Sequence, residues 1–270
     1  MKTDFSPVLQ YRTIGQGPPL LGLTGFASAH WLLEPLAEVL ADRFQVILPD
    51  HRGTGASPPG AGPYGVWDLA EDACRLMDRL EIRRFCVFGV SMGGMVAQHL
   101  ALRAADRVAG LALLCTTSGG REFDGLYPQV AEQQVAALYR LPPEQHARVI
   151  LEPPISPCLK PFYPEAYGYL LRHRRARLED REEVIRQHRA MAEFLGQTFP
   201  LEALTVPTLV LAGARDPVFP PANSRLLAQK IRGARLEILP GTDHMFFLER
   251  SRDVGELLAA FFSTLSDPGP

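Results

Sequence analysis

With 270 residues, 46% of them hydrophobic, the chain is long enough to bury a large core, and one α/β domain carrying an insertion is the first expectation. A formal net charge of −2 supplies no positive field for nucleic acid or an anionic bilayer, so the expected partner is a small molecule. Cys74, Cys86, Cys115 and Cys158 are scattered, lack Cys-x-x-Cys spacing and are expected as free thiols in a reducing, cytoplasmic setting, with no metal site and no cofactor. No apolar leader is visible, and no apolar run reaches the about 18 residues that suggest a membrane span.

Short apolar runs then alternate with longer amphipathic ones, the pattern of parallel strands joined by crossover helices. Residues 8–13 are a candidate short edge strand. Clear strands are predicted at 19–24, 44–49, 84–90, 108–115, 207–213 and 235–240, and helices at 30–41, 67–80, 92–104, 221–230 and 254–265. From 116 to 200 the alternation stops, and helical patterns are broken by Pro128, Pro142, Pro143, Pro153, Pro154, Pro157, Pro161 and Pro164. This gives a core of 1–117 and 201–270 with a helical cap at 118–200, inserted after the strand that follows the 92–104 helix. A cap there would lie over the carboxyl ends of the strands.

The segment Gly89-Val90-Ser91-Met92-Gly93 follows the apolar run Phe85-Cys86-Val87-Phe88 and opens a helical stretch. In a strand-to-helix elbow the central residue is strained and lifted into the open, and the flanking glycines let backbone approach closely. The helix start directs N–H groups, Met92 first, at the spot where an oxyanion would develop. A serine hydroxyl is a weak nucleophile, so it needs a base and a group that fixes the base's tautomer. Asp216 and His244 both emerge at strand carboxyl ends, in Gly213-Ala214-Arg215-Asp216 and Gly241-Thr242-Asp243-His244. The loop Thr116-Thr117-Ser118-Gly119-Gly120 holds no carboxylate, and Asp243, next to His244, would point elsewhere. The other histidines, His51, His99, His146, His173 and His188, are read as packing or surface residues, and His30 as a helix start, with a place facing the pocket as its alternative.

These motifs resemble the α/β-hydrolase family across nearly the whole chain outside the cap. Besides the elbow Gly89-Val90-Ser91-Met92-Gly93-Gly94, the segment Thr24-Gly25-Phe26 is similar to the family's oxyanion loop, commonly His-Gly-x. Asp50-His51-Arg52-Gly53-Thr54-Gly55-Ala56-Ser57 resembles its D-x-R-G-x-G-x-S turn. The resemblance implies an α/β-hydrolase fold with a mostly parallel sheet, Ser91, Asp216 and His244 as the catalytic residues in the family's chain order, and an oxyanion hole from the backbone N–H groups of Phe26 and Met92. Within the family the 204–262 region looks most like the enol-lactonase, esterase and cofactor-free haloperoxidase group. Thr24 departs from the usual histidine and leaves the loop's position open.

The function so implied is hydrolysis of a small, apolar carboxylic ester or lactone through an acyl-enzyme. Perhydrolysis or carbon–carbon bond hydrolysis on the same residues is an alternative, and a slow-turnover ligand-binding receptor is an alternative of another class. Asp50 and Arg52 are read as a structural turn with Arg52 paired locally. The basic run 172–177 and the acidic run 179–183 read as a solvated, internally paired cap helix. Tyr127, Tyr139, Phe162, Tyr163, Tyr167, Tyr169 and Phe194 offer either a pocket lining or packing for the cap.

Overall fold

The structure, a computed structural model, describes residues 8–124, 130–151 and 156–265. In chain order these form β1 (Tyr11–Ile14), β2 (Pro19–Leu23), α1 (Glu34–Leu40), β3 (Gln45–Pro49), α2 (Val66–Arg79), β4 (Phe85–Val90), α3 (Met92–Arg103) and β5 (Val108–Leu114). Six helices follow among the described residues: α4 (Arg121–Asp124), α5 (Glu132–Leu138), α6 (Pro143–Leu151), α7 (Leu159–Phe162), α8 (Pro164–Ala176) and α9 (Arg181–Leu195). The alternation resumes with β6 (Thr208–Gly213), α10 (Pro221–Lys230), β7 (Arg235–Leu239), α11 (Phe246–Glu249) and α12 (Ser251–Ser263). No described helix is long and apolar enough to cross a membrane.

The strands make one sheet in the order β1-β3-β2-β4-β5-β6-β7. Only β1 is antiparallel, with Tyr11 opposite Pro49 and Ile14 opposite Val46. All other neighbours run parallel. Side chains alternate across the sheet with the two-residue period of a strand. On β4, Phe85 and Val87 join the apolar cluster of α2, α3 and α10, whereas Cys86, Phe88 and Val90 join that of α1 and α12. β5 and β6 divide in the same way, with Leu111, Leu113 and Val210 on the first face and Ala112, Leu114, Leu209 and Leu211 on the second. The result is a three-layer fold whose central strands are buried on both faces, which is why they read as unbroken apolar runs.

The six clear strands agree with the sequence reading to one residue at each end, and the candidate edge strand is displaced to Tyr11–Ile14. The 30–41 helix opens as a 3-10 turn, His30–Leu33, before α1 begins. The short α11 carries no long periodic pattern and was not foreseen. Pro143 and Pro164 stand at the first positions of α6 and α8, where a missing N–H costs no intrahelical bond, so these two prolines start helices rather than break them. Pro128, Pro153, Pro154 and Tyr127 lie outside the described residues.

The helices between β5 and β6 are fastened to both cores. Met191, Phe194 and Leu195 of α9 enter the first cluster, and Leu151, Leu159 and Leu170 enter the second. Each such large apolar side chain contributes about 1.5–3 kcal/mol when fully buried. Of the aromatic residues in this segment, Phe194 packs in the core against His99 and Phe199, while Phe162 is 67% exposed.

The elbow depends on close approach between α3 and the end of β2. A Cβ on Gly93 would sit 2.2 Å from Leu23 O and 2.5 Å from Thr24 O, both backbone atoms that cannot swing away. Gly93→Ala is therefore expected to destabilise the fold by about 1–3 kcal/mol. Gly62→Ala, where a Cβ meets nothing within 4 Å, should stay within about 0.5 kcal/mol of the parent. Urea unfolding midpoints of the two variants check this, and equal midpoints would contradict the packing account.

Candidate functional site

Parallel strands deliver their following loops to one edge of the sheet, and the residues singled out in the sequence collect there. Ser91 sits between β4 and α3 at φ 55° and ψ −120°, a conformation that strains any side-chain-bearing residue. Three hydrogen bonds hold it: Ser91 N donates to Leu114 O at 2.9 Å, Gly94 N to Ser91 O at 2.9 Å, and Thr116 Oγ1 to Ser91 O at 2.7 Å. Its side chain is partly open, unlike the buried strand before it. Met92, at the first position of α3, carries an N–H that the helix itself cannot satisfy. The loop after β2 comes alongside, since a Cβ on Gly25 would lie 3.3 Å from Ser91 Cβ and 3.9 Å from Ser91 Oγ.

Asp216 follows β6 and is 3% exposed. Its Oδ1 accepts the N–H groups of Val218 at 2.8 Å and Phe219 at 2.9 Å, a turn that fixes the carboxylate. Its Oδ2 lies 2.9 Å from Nδ1 of His244, itself 5% exposed. The two come from neighbouring strands because the β7 loop folds back over the end of β6. Arg215 N donates to Thr242 O at 2.9 Å, and the carbonyl of Asp243 lies where a Cβ on Gly213 would be, at 2.1 Å. Only glycine permits that approach. With Nδ1–H given to the carboxylate, Nε2 becomes the basic nitrogen of the ring. Among the described residues no hydrogen bond joins His244 to Ser91 Oγ; contacts of this kind are often long before substrate arrives.

Cys115, at φ 41° at the end of β5, lies beside this pair. Its Sγ, an Asp216 oxygen and a His244 ring nitrogen all fall within 4.8 Å of one another. Burial, and then the Asp216 carboxylate, push the thiol well above its ordinary range, so it stays protonated. A neutral thiol beside two groups already bonded to each other is a poor match to the deprotonated donors a metal requires.

Asp50, His51 and His30 hold the structural places expected of them, whereas Arg52 and parts of the charged runs pair differently from the sequence reading. Arg52 is paired, but with Asp72 twenty residues on in α2, through Nε–Oδ2 at 2.6 Å and Nη2–Oδ1 at 2.7 Å. Asp50 accepts the backbone N–H of His30 at 2.7 Å and meets its Nδ1 at 2.8 Å, which ties the start of the 3-10 turn to the β3 loop. His51 is buried with Nε2 3.2 Å from Thr24 O, and burial lowers it to about 4. The charged runs of the 118–200 segment fall on two helices and the link between them, and although Arg172, Arg175, Arg177 and Glu182 are exposed as expected, Arg174 and Glu179 are buried against the core. Arg174 is 7% exposed and donates to Ala27 O and Ser28 Oγ, and Glu179, equally buried, accepts Gly55 N at 3.0 Å. Lying 147 residues from Ala27, Arg174 carries no local sequence signal that marks this role.

Asp243 points away from Asp216 and into the 118–200 segment. Its carboxylate accepts Ser156 Oγ at 2.7 Å, Cys158 N at 2.7 Å and Met245 N at 3.1 Å, and its own N–H donates to Glu249 Oε2 at 3.3 Å. Burial, then the neighbouring Asp243 carboxyl, push Glu249 up to about 8. A carboxyl raised in the folded state binds its proton more tightly there, so the stability it contributes is full below the unfolded value near 4.5 and is lost as pH rises through about 8. Glu249→Gln is therefore expected to be more thermostable than the parent at pH 9 and nearly equal to it at pH 5. Melting curves across that range test this, and a difference that does not change with pH would contradict it.

The family model described as alpha/beta hydrolase fold matches residues 18–251. A protein named as a carbamate hydrolase in Azorhizobium caulinodans is 29% identical over 258 residues, 94% of each chain. A 3-oxoadipate enol-lactonase of Acinetobacter baylyi is 29% identical over 248 residues, 86% of this chain and 84% of that one. Among solved structures, a thermophilic esterase of Thermogutta terrifontis superposes with a TM-score of 0.81 at 26% identity, covering 95% of this chain and 93% of the other. Sequence and architecture agree over nearly the whole length, and the chain belongs to the α/β-hydrolase fold family.

Proposed function

We propose that the protein is a serine hydrolase that cleaves a small, apolar carboxylic ester or lactone through an acyl-enzyme, with Ser91 as nucleophile, His244 as base and Asp216 as its orienter. The observation that carries this reading is the His244 Nδ1 to Asp216 Oδ2 contact of 2.9 Å, made between residues 28 apart in the chain, at the sheet edge that also presents Ser91 at φ 55°. The relatives named for enol-lactone, esterase and carbamate chemistry support the substrate class. In the first step Ser91 Oγ bonds to the carbonyl carbon while its proton passes to His244 Nε2. The negative charge moves to the carbonyl oxygen, which the N–H groups of Phe26 and Met92 receive. The tetrahedral adduct then collapses, the bond to the leaving oxygen breaks, and His244 returns the proton to that oxygen. Water attacks the acyl-Ser91 ester with His244 again as base and releases the acid.

Residues 118–200 act in this reading as the cap. Their contacts reach the loops after β2, β3 and β7, through Arg174 to Ala27, Glu179 to Gly55 and Ser156 to Asp243, all on the sheet edge that carries Ser91. A lid so placed excludes water and shapes the acyl pocket.

Activity on p-nitrophenyl esters of increasing acyl length, with intact-mass detection of an acyl-enzyme burst, tests the assignment. Ser91→Ala is expected to lower kcat by about 10⁴-fold or more and to abolish the burst, and Asp216→Asn to lower kcat by about 10³–10⁴-fold by releasing the wrong imidazole tautomer. A Ser91→Ala protein that turns over within tenfold of the parent would contradict the mechanism.

A further inference from the structure

The loop after β2 contains a bend that its residue does not favour. Ala27 lies at φ 48°, in the left-handed region. A conformation of this kind persists only when its surroundings over-determine it. Within the loop, Thr24 Oγ1 donates to Ser28 O at 3.0 Å and Ser28 Oγ to Phe26 O at 3.0 Å. The other holds come from the 118–200 segment. Gln187 Oε1, on α9, accepts the Ala27 N–H at 2.9 Å. Arg174, on α8, donates through Nη1 to Ala27 O and through Nη2 to Ser28 Oγ at 2.8 Å. Both side chains are buried, and the guanidinium lies 5.3 Å over the Trp31 ring. Phe26 O, Ala27 N and Ala27 O are thus each bonded, whereas the Phe26 N–H has no acceptor among the described residues.

We propose that Arg174 and Gln187 are positioning residues for the oxyanion site: gripping Ala27 from both sides, they aim the Phe26 N–H at the carbonyl oxygen attacked by Ser91, so that the site is complete only while α8 and α9 are seated on the core. This rests on the serine-hydrolase reading. A donor is worth most when it is already oriented before charge develops, because no reorganisation is then needed in the reaction step. Thr24, standing where a histidine is usual, spans only four residues to Ser28 O, and the longer reach that fixes the loop is supplied by the two side chains from the insertion. The hydrolytic site is in this way conditional on the lid, through two hydrogen-bonding side chains that touch no substrate.

Gln187→Met keeps the volume and removes the acceptor, whereas Gln187→Glu keeps the acceptor. With p-nitrophenyl butyrate, the Met variant is expected to lose about 10- to 100-fold in kcat, less than or comparable to removal of one oxyanion donor, with KM changed no more than about twofold. Its affinity for a trifluoromethyl ketone, whose hemiketal oxygen mimics the oxyanion, should fall by the same factor as kcat/KM, and the Glu variant should recover most of both. Arg174→Lys, which retains the charge but not the two-pronged geometry, should fall between the parent and Gln187→Met. Parental kcat and inhibitor affinity in Gln187→Met, or a loss that only follows the folded fraction in the melting curve, would overturn the proposal. Ser91→Ala measured in parallel separates the two levels. If Ser91→Ala is inactive while Gln187→Met is fully active, the clamp fails alone; if Ser91→Ala is active, the underlying mechanism fails with it.

Discussion

The hydrogen bond between His244 Nδ1 and Asp216 Oδ2 can form only because a loop turns back on itself. β7 is the edge strand, so a histidine continuing in its direction would leave the centre of the sheet. The Asp243 carbonyl instead rests on Gly213, and Thr242 O accepts Arg215 N, which brings His244 over the end of β6. That placement sets the ring beside the carboxylate and, with Nδ1–H given to it, leaves Nε2 as the basic nitrogen. A side chain at position 213 would separate these loops while leaving Asp216 and His244 themselves unchanged. The proposed chemistry therefore depends on backbone packing at a position with no functional group.

The second constraint is the seam between the core and the 118–200 segment, which is polar where it meets the loops and apolar behind them. Leu151, Leu159, Leu170 and Phe194 bury the segment against the two hydrophobic clusters. At the seam itself Arg174, Gln187, Glu179 and Ser156 each bond to a loop that follows a strand. Burying a charged or amide group is costly unless it is hydrogen-bonded, so these contacts favour one seating over many. The apolar contacts hold the segment on the core, and the polar contacts fix its register against the loops that follow the strands.

The strands were legible because a parallel sheet covered on both faces leaves continuous apolar runs, and the elbow because its glycines mark a close approach between β4 and α3. Asp216 and His244 were legible from their places after strands, and the structure joins them. What local sequence could not convey is partnership across distance. Arg174 and Glu179 sit in charged runs that look solvated, yet they reach residues 147 and 124 positions away. Glu249 belongs to a helix too short to leave a periodic pattern, and its link to Asp243 appears only once α11 is folded. Arg52 looked locally paired for the same reason, because its carboxylate partner lies one helix further on.

In the proposed mechanism Ser91, His244 and the N–H groups of Phe26 and Met92 converge on one reacting carbon. A crystal structure of the protein after reaction with a fluorophosphonate tests this most directly, because the tetrahedral phosphorus takes the place of that carbon. The expected result is density continuous from Ser91 Oγ to phosphorus, one phosphoryl oxygen about 2.7–3.1 Å from both N–H groups, and His244 Nε2 facing Ser91 Oγ. An adduct on another residue, or a phosphoryl oxygen turned away from Phe26 and Met92, would contradict it.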